Sequence, residues 1–384
     1  MKKNFTLPFA LLQSLYSMVL MPFFAYGTYY LQSQGFNNVI IGIVLAVANI
    51  LAVLIQPLMA TMVDKEKISL PRLMGYVLLG LMISAFALRG NLLPLVFFAL
   101  VQIAVYSLNP LLNAYSVSCN RQGYYVDFGV SKGLSSLSYA IFSLLLGSLL
   151  KLHGSSLIPM ASILISLFFL LALWKTTPTF SKEVIESQTL ETAQSLLKKM
   201  PSLWGVLFSV TLIYSNYSMF NSYLVNTIRH LGGGESHLGI AVAIASASEV
   251  PIMLSFSKLM QRVKLSTLLC VSAFFFTLKT FLAFLAPGIW TLYFTQAIQM
   301  FSFGIYLPAS VYYMASITEV KDQAKGQAYM TSAATLGSLI ASVLGGIVVD
   351  AFGVPAMLLL ATTMSAVGTI TMVIFTRRLA HEQI

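Results

Sequence analysis

The sequence predicts an all-α integral membrane protein: twelve transmembrane helices forming two six-helix, pseudo-symmetric bundles. Three observations carry that expectation. Only 9% of the 384 residues are charged and 58% are hydrophobic, with a mean hydropathy of +0.84, whereas a soluble domain has about 25% and 45–50%. Twelve apolar stretches are long enough to cross about 30 Å of hydrocarbon at 1.5 Å per residue. The first six and the last six also echo each other at a nearly constant offset. So few charges cannot cover a soluble surface of this size. That excludes a soluble enzyme, a disordered chain and a nucleic-acid binder, despite the net charge of +10. Two cysteines, Cys119 and Cys270, supply neither a disulfide framework nor a metal cluster, and no metal or cofactor is expected.

The spans are expected near 6–31, 38–63, 72–89, 92–114, 133–151, 156–174, 202–227, 238–260, 265–286, 289–315, 327–349 and 354–376. The first follows Lys2 and Lys3 but is too long for a signal-peptide core, and no small-residue cleavage site follows it; it is expected to remain. Connections are short except for 176–200. That segment places Lys182, Glu183, Glu186, Glu191, Lys198 and Lys199 around leucines and reads as a surface linker. The expected organisation is therefore an N-terminal bundle over 1–175, a linker over 176–200 and a C-terminal bundle over 201–384.

Orientation follows from the basic residues, because cytoplasmic loops are enriched in Lys and Arg. With the N-terminus inside, 18 of the 22 fall on the cytoplasmic side. Arg89, Lys151 and Arg229 fall outside, and Lys279 lies within a span. The positive balance thus marks topology, with both termini in the cytoplasm and the chain in the cytoplasmic membrane.

The repeat is visible in short segments. Ile41-Gly42-Ile43-Val44-Leu45-Ala46 opens span 2, and Leu238-Gly239-Ile240-Ala241-Val242-Ala243 opens span 8, 197 residues later. Gly147 and Gly154 around span 5 match Gly346 and Gly353 around span 11, at an offset of 199. Nearly equal offsets in the same direction indicate a duplicated six-helix unit; chance similarity among Gly/Ala/Val-rich helices is the competing reading.

Several motifs resemble the major facilitator superfamily. Gln56-Pro57-Leu58 followed by Asp64-Lys65 is similar to its cytoplasmic gate motif, without the usual glycine and the run of arginines. Asp127-Phe128-Gly129-Val130-Ser131-Lys132, leading into span 5, resembles a motif of the branch containing lactose permease, phenylpropionate permeases and nucleoside/proton symporters. Gly326-Gln327-Ala328 and Gly345-Gly346 before Asp350 fit the same branch. The resemblance implies a secondary transporter whose spans 1, 4, 7 and 10 line a central cavity.

Two charged residues lie deep in the spans, Glu249 in span 8 and Lys279 in span 9. Each costs about 2.5–3.5 kcal/mol to insert, so such groups turn inward, pair and usually act. Their depths differ by about 5 Å at 1.5 Å per residue, within reach of a lysine side chain. A direct ion pair is expected. In the functional reading Glu249 takes the proton and Lys279 tunes it, since burial raises a carboxylate's pKa and a nearby cation lowers it. In the competing reading the pair only fixes two helices. The resemblance places Glu249 and Lys279 on a substrate-contacting glutamate and a helper arginine. The branch's titratable span-10 positions meet Gln299 and Ser302 here, so any proton falls to Glu249. Lys132 meets a sugar-contacting arginine and lacks its bidentate fork. The acid that partners that arginine in span 4 is absent, with Asn113 and Ala114 nearby.

Amides and phenols gather in the implied lining spans: Tyr26 in span 1, Asn113 in span 4, Asn216 and Tyr223 in span 7, Gln296 and Gln299 in span 10. Together with Lys132 these are the candidate substrate-binding residues. Facing lipid they would be costly; they line a cavity for a hydroxylated, uncharged solute or act as glue between helices. Asp64, Lys65 and Asp127 at cytoplasmic helix ends are candidate gate residues, with solvated loop charge as the alternative. Small residues in span 11, from Ala334 to Gly346, read as packing. Arg229, His230, Glu235 and His237 around Gly232-Gly233-Gly234 read as a flexible outer loop and not as a metal site.

The function expected is secondary active transport of a small polar organic solute, a sugar, oligosaccharide or nucleoside, by proton symport and as a monomer. A proton-coupled exporter of drugs or metabolites, or an uncoupled facilitator, shares the architecture. No nucleotide-binding or HExxH motif and no extramembrane domain supports an enzyme or a self-contained pump.

Overall fold

Thr6 opens the first helix because the Asn4 side chain accepts its backbone N–H at 3.0 Å, and an apolar run follows. The computed structural model of the chain describes residues 3–64, 68–90, 93–176, 194–319 and 322–382. In the first half, α1 spans Thr6–Ala25, α2 Gly27–Ser33, α3 Asn38–Asp64, α4 Leu70–Arg89, α5 Pro94–Arg121, α6 Phe128–His153 and α7 Leu157–Thr176. In the second half, α8 spans Gln194–Lys199, α9 Ser202–Ser222, α10 Leu224–His230, α11 Glu235–Arg262 and α12 Leu265–Phe284. They are followed by α13 over Ile289–Ala297, α14 over Phe303–Ile317 and α15 over Gln323–Glu382. All twelve expected spans fall on helices in this order, most ends agreeing within a few residues; α5 runs seven residues past the expected end of span 4, α6 begins five residues before the expected start of span 5, and α15 runs six residues past the expected end of span 12.

Ten helices of the described residues are long and apolar enough to cross a membrane. Two particulars separate that figure from twelve. Spans 11 and 12 run on as the single helical stretch α15, broken at Gly353. Span 7, as α9, is absent from the ten; it carries Tyr214, Ser215, Asn216, Tyr217, Ser218 and Asn221. Of the expected linker, 177–193 lies outside the described residues and Gln194–Lys199 is helical.

The chain divides into two compact units, Met1–Gln188 with Leu238–Ala243, and Thr189–His237 with Ile244–Ile384. Each contains the same devices. In the first unit, α1 and α2 meet at Tyr26 (φ −110°, ψ 5°), whose hydroxyl donates to the Ser143 carbonyl at 3.2 Å. In the second, α9 and α10 meet at Tyr223 (φ −110°, ψ 21°), whose hydroxyl donates to the Ser342 carbonyl at 2.6 Å. The residues correspond at offsets of 197 and 199. Gly154 ends α6 at φ +71°, and Gly353 breaks α15 at φ +81°, a left-handed setting that penalises a Cβ. The sequence repeat is therefore a repeat of backbone conformation.

Hydroxyls aimed at the next helix hold each unit together. Ser17 donates to the Ser135 carbonyl and Ser135 to that of Gln13, tying α1 to α6. Thr211 and Ser215 donate to the carbonyls of Ala333 and Gly337, tying α9 to α15. A Cβ on Gly337 would collide with the Thr211 carbonyl, and one on Gly345 would lie 2.5 Å from the Tyr223 ring. Such close approach is the main source of helix association where lipid is as apolar as the side chains. Outward, large apolar side chains such as Leu7, Ile83, Phe86 and Phe352 are exposed, as lipid-facing residues are. Trp174, Trp204 and Trp290 are exposed at helix ends, the depth at which tryptophan settles in a bilayer.

One element has no counterpart in the sequence reading. Lys3–Asn4 (β1) pairs in parallel with Tyr124–Tyr125 (β2), and Phe5 donates to the Tyr125 carbonyl at 2.9 Å. Two residues per strand are too few to leave an alternating pattern.

Candidate functional site

Two ionisable residues of the second unit, Glu249 and Lys279, come together through a break in a helix. Glu249 lies in the middle of α11 and Lys279 five residues from the end of α12; their side chains are 7% and 3% exposed. Between α13 and α14 the chain tightens into a 3-10 turn, Ile298–Met300, with Phe301 donating to the Ile298 carbonyl at 2.9 Å. Ser302 (φ −88°, ψ −89°) precedes α14, and its hydroxyl takes up the Gln299 carbonyl at 3.3 Å. This satisfies a carbonyl near the break, as a backbone at membrane depth requires.

The turn presents Gln299 to both charges. Lys279 Nζ donates to Gln299 Oε1, and Gln299 Nε2 donates to Glu249 Oε1 at 3.0 Å. Lysine can only donate, so the amide oxygen must face it and the amide nitrogen must face the carboxylate. The expected direct ion pair is thus corrected: among the described residues Glu249 and Lys279 form no ion pair, and a neutral amide joins them. Sequence fixes the depth of each group but not its lateral distance. The gap suits an amide, whose two ends match the two charges. Lys279 Nζ also lies 4.9 Å from the centre of the Phe220 ring, a cation–π contact in a dry setting.

The polar side chains of span 7 have mostly structural partners. Asn216 donates to the Phe276 carbonyl at 3.0 Å and accepts from the Thr280 hydroxyl at 2.7 Å, so its amide ties α9 to α12. Tyr223 and Tyr26 are fully buried with their hydroxyls on helix carbonyls. These three expected substrate contacts are held in packing. Around Asn216, the Tyr217 ring stacks on Phe303 at 4.7 Å, and Tyr214 lies 5.6 Å from Tyr306.

The other candidates are dispersed. Asn113 is half-buried on α5 with its Oδ1 unpartnered. Gln296 is fully buried on α13 with both amide atoms unpartnered. Lys132 is half-buried on α6, 5.3 Å from the centre of the Phe128 ring. Asp127 caps α6 by accepting the Val130 N–H at 3.0 Å, so its local role is that of an N-cap. Asp64 is the last residue of α3, and Lys65 lies outside the described residues. Sequence reasoning missed Phe220 and Thr280, which carry no signal except that Thr280 adjoins Lys279. Among the described residues, no group of three or more His, Cys, Asp and Glu could hold a metal.

The sequence profile of the MFS_1-like family matches residues 10–360. A maltose permease of Geobacillus stearothermophilus is 24% identical over 368 residues, covering 93% of this chain and 92% of that protein. Among solved structures, a variant of the nucleoside transporter NupG superposes with a TM-score of 0.80 at 15% identity, covering 97% of this chain and 99% of that one. A bacterial homologue of the iron transporter ferroportin, inward-facing, gives 0.72 at 11% identity, covering 96% and 98%.

Proposed function

Because the chain belongs to the MFS_1-like family of secondary transporters, we propose that it imports an uncharged, polyhydroxylated solute, a sugar or nucleoside, together with a proton. The single observation that carries the coupling is the chain Glu249–Gln299–Lys279. The kinship with a maltose permease and the likeness to NupG support the solute class. The protein works as a monomer in the cytoplasmic membrane, with both termini in the cytoplasm.

In this reading Glu249 carries the proton. While ionised, it accepts the Gln299 N–H, and Lys279 holds the amide in that sense from its other end. Protonation removes the carboxylate charge, leaves Lys279 as the one formal charge of the chain, and loosens the demand on the Gln299 N–H. The amide then has donor capacity for a solute hydroxyl, and the nearby rings offer flat apolar faces to a sugar or a base. Solute and proton thereby compete with, and complete, the same chain of hydrogen bonds. Alternating access then delivers both to the other side.

The test is uptake into proteoliposomes under an imposed pH gradient. Acid outside is expected to drive accumulation of a sugar or nucleoside. Glu249→Gln is expected to abolish accumulation against the gradient while sparing solute exchange. Equilibration without accumulation in the wild type identifies a facilitator instead, and proton-driven extrusion identifies an exporter. Unchanged accumulation in Glu249→Gln removes the carboxylate from the coupling step.

A further inference from the structure

Gln296 lies in the last turn of α13, three residues before Gln299. It is 0% exposed, and neither Nε2 nor Oε1 has a hydrogen-bond partner. Among the described residues it is the one side chain with two such atoms; Gln13, Gln102, Asn109 and Asn113 in the first unit each leave an oxygen. Tyr293, one turn earlier on the same face, also has a buried hydroxyl without a partner. Native proteins rarely leave such groups orphaned, and an apolar side chain of the same size would fill the space at less cost.

A second, independent observation lies in the backbone. The α-helical ladder of span 10 stops at Ala297, passes through the 3-10 turn and resumes at Phe303. Helices broken at membrane depth mark binding sites in secondary transporters, where backbone and nearby side chains face the cargo. Of the two amides at this break, Gln299 is engaged by Glu249 and Lys279. Gln296 is the unengaged one.

We infer that the Gln296 amide grips a pair of adjacent hydroxyls on the transported solute, Oε1 accepting from one and Nε2 donating to its neighbour. A primary amide offers one acceptor and one donor side by side. A vicinal diol, whose hydroxyls each donate and accept, answers both; a carboxylate would answer only the donor, and an ammonium only the acceptor. Pyranose rings and ribose both carry vicinal diols, so the assignment names their shared chemistry. It rests on the proposed solute class and is independent of proton coupling.

The experiment is solute counterflow in proteoliposomes without a pH gradient, using radiolabelled maltose and uridine, with mono-deoxymaltoses and the 2′- and 3′-deoxyuridines as comparison solutes. In the wild type, removing one hydroxyl of the recognised pair is expected to raise KM about tenfold or more, since the amide is left half-paired. In Gln296→Met, close to isosteric and apolar, the parent solute's KM is expected to rise to that of the deoxy analogue, so discrimination falls to about one. Equal discrimination in variant and wild type overturns the assignment. If the variant does not fold, the wild-type series decides alone: no deoxy position that matters also overturns it. Counterflow needs no proton, so a protein that discriminates the diol but fails to accumulate solute contradicts symport and leaves this assignment standing. If neither labelled solute exchanges, the solute class fails and the assignment fails with it.

Discussion

Asn216 and Gln299 are both buried amides of the second unit, and their partners give them different work. Asn216 has a backbone carbonyl on one end and a neutral hydroxyl on the other, so nothing it touches changes charge during transport. Asn216→Ala is expected to cost about 0.5–2 kcal/mol, read as a lower melting temperature in detergent with KM unchanged. Gln299 has a charge at each end. Gln299→Leu strands a buried ammonium and a buried carboxylate together, so accumulation is expected to disappear and the melting temperature to fall further than in Asn216→Ala. Both amides were legible as residues of interest. Which one bridges charges was not, because a partner depends on helix rotation and on the break after Ala297.

At the scale of elements, the repeated devices make paired predictions. Gly154 and Gly353 hold the same left-handed backbone at equivalent places in the two units. Replacing either with alanine is expected to cost about 1–2 kcal/mol, with matching drops in melting temperature; open space around the Gly154 Cβ position leaves backbone strain as the cause there. Gly337→Val acts differently, because its side chain would meet the Thr211 carbonyl and force α9 from α15. It is expected to abolish folded protein, as judged by size-exclusion of the detergent-solubilised variant. The helices themselves were readable from hydropathy alone, with most ends within a few residues and the polar extensions of α5, α6 and α15 missed by five to seven. Their internal breaks were not. Nothing in the apolar pattern distinguishes Tyr26 or Tyr223 from a neighbouring aromatic, since a local change in φ and ψ leaves composition untouched.

For the whole molecule, charge distribution makes its own prediction. Green fluorescent protein fused after the C-terminus is expected to fluoresce, and alkaline phosphatase fused there to be inactive. Alkaline phosphatase inserted at Gly232–Gly234 is expected to be active. The opposite pattern would overturn the assigned orientation. The exposed tryptophans at helix ends supply a further check, with Trp174 and Trp204 expected at one interface and Trp290 at the other, as read by depth-dependent quenching in bilayers.

The sequence by itself determined that this is a membrane protein of repeated apolar helices and a member of a transporter family, and it singled out Glu249 and Lys279. Hydropathy and buried charge are costs that each segment incurs alone on entering lipid, so they are written along the chain. The tertiary structure alone decided that an amide stands between those two charges, that Asn216, Tyr26 and Tyr223 are engaged in packing, and that Gln296 is left with both ends unmatched. Those outcomes depend on where side chains from different helices meet, and hydrogen bonds act over only about 3 Å. Small rotations and a single 3-10 turn settle them.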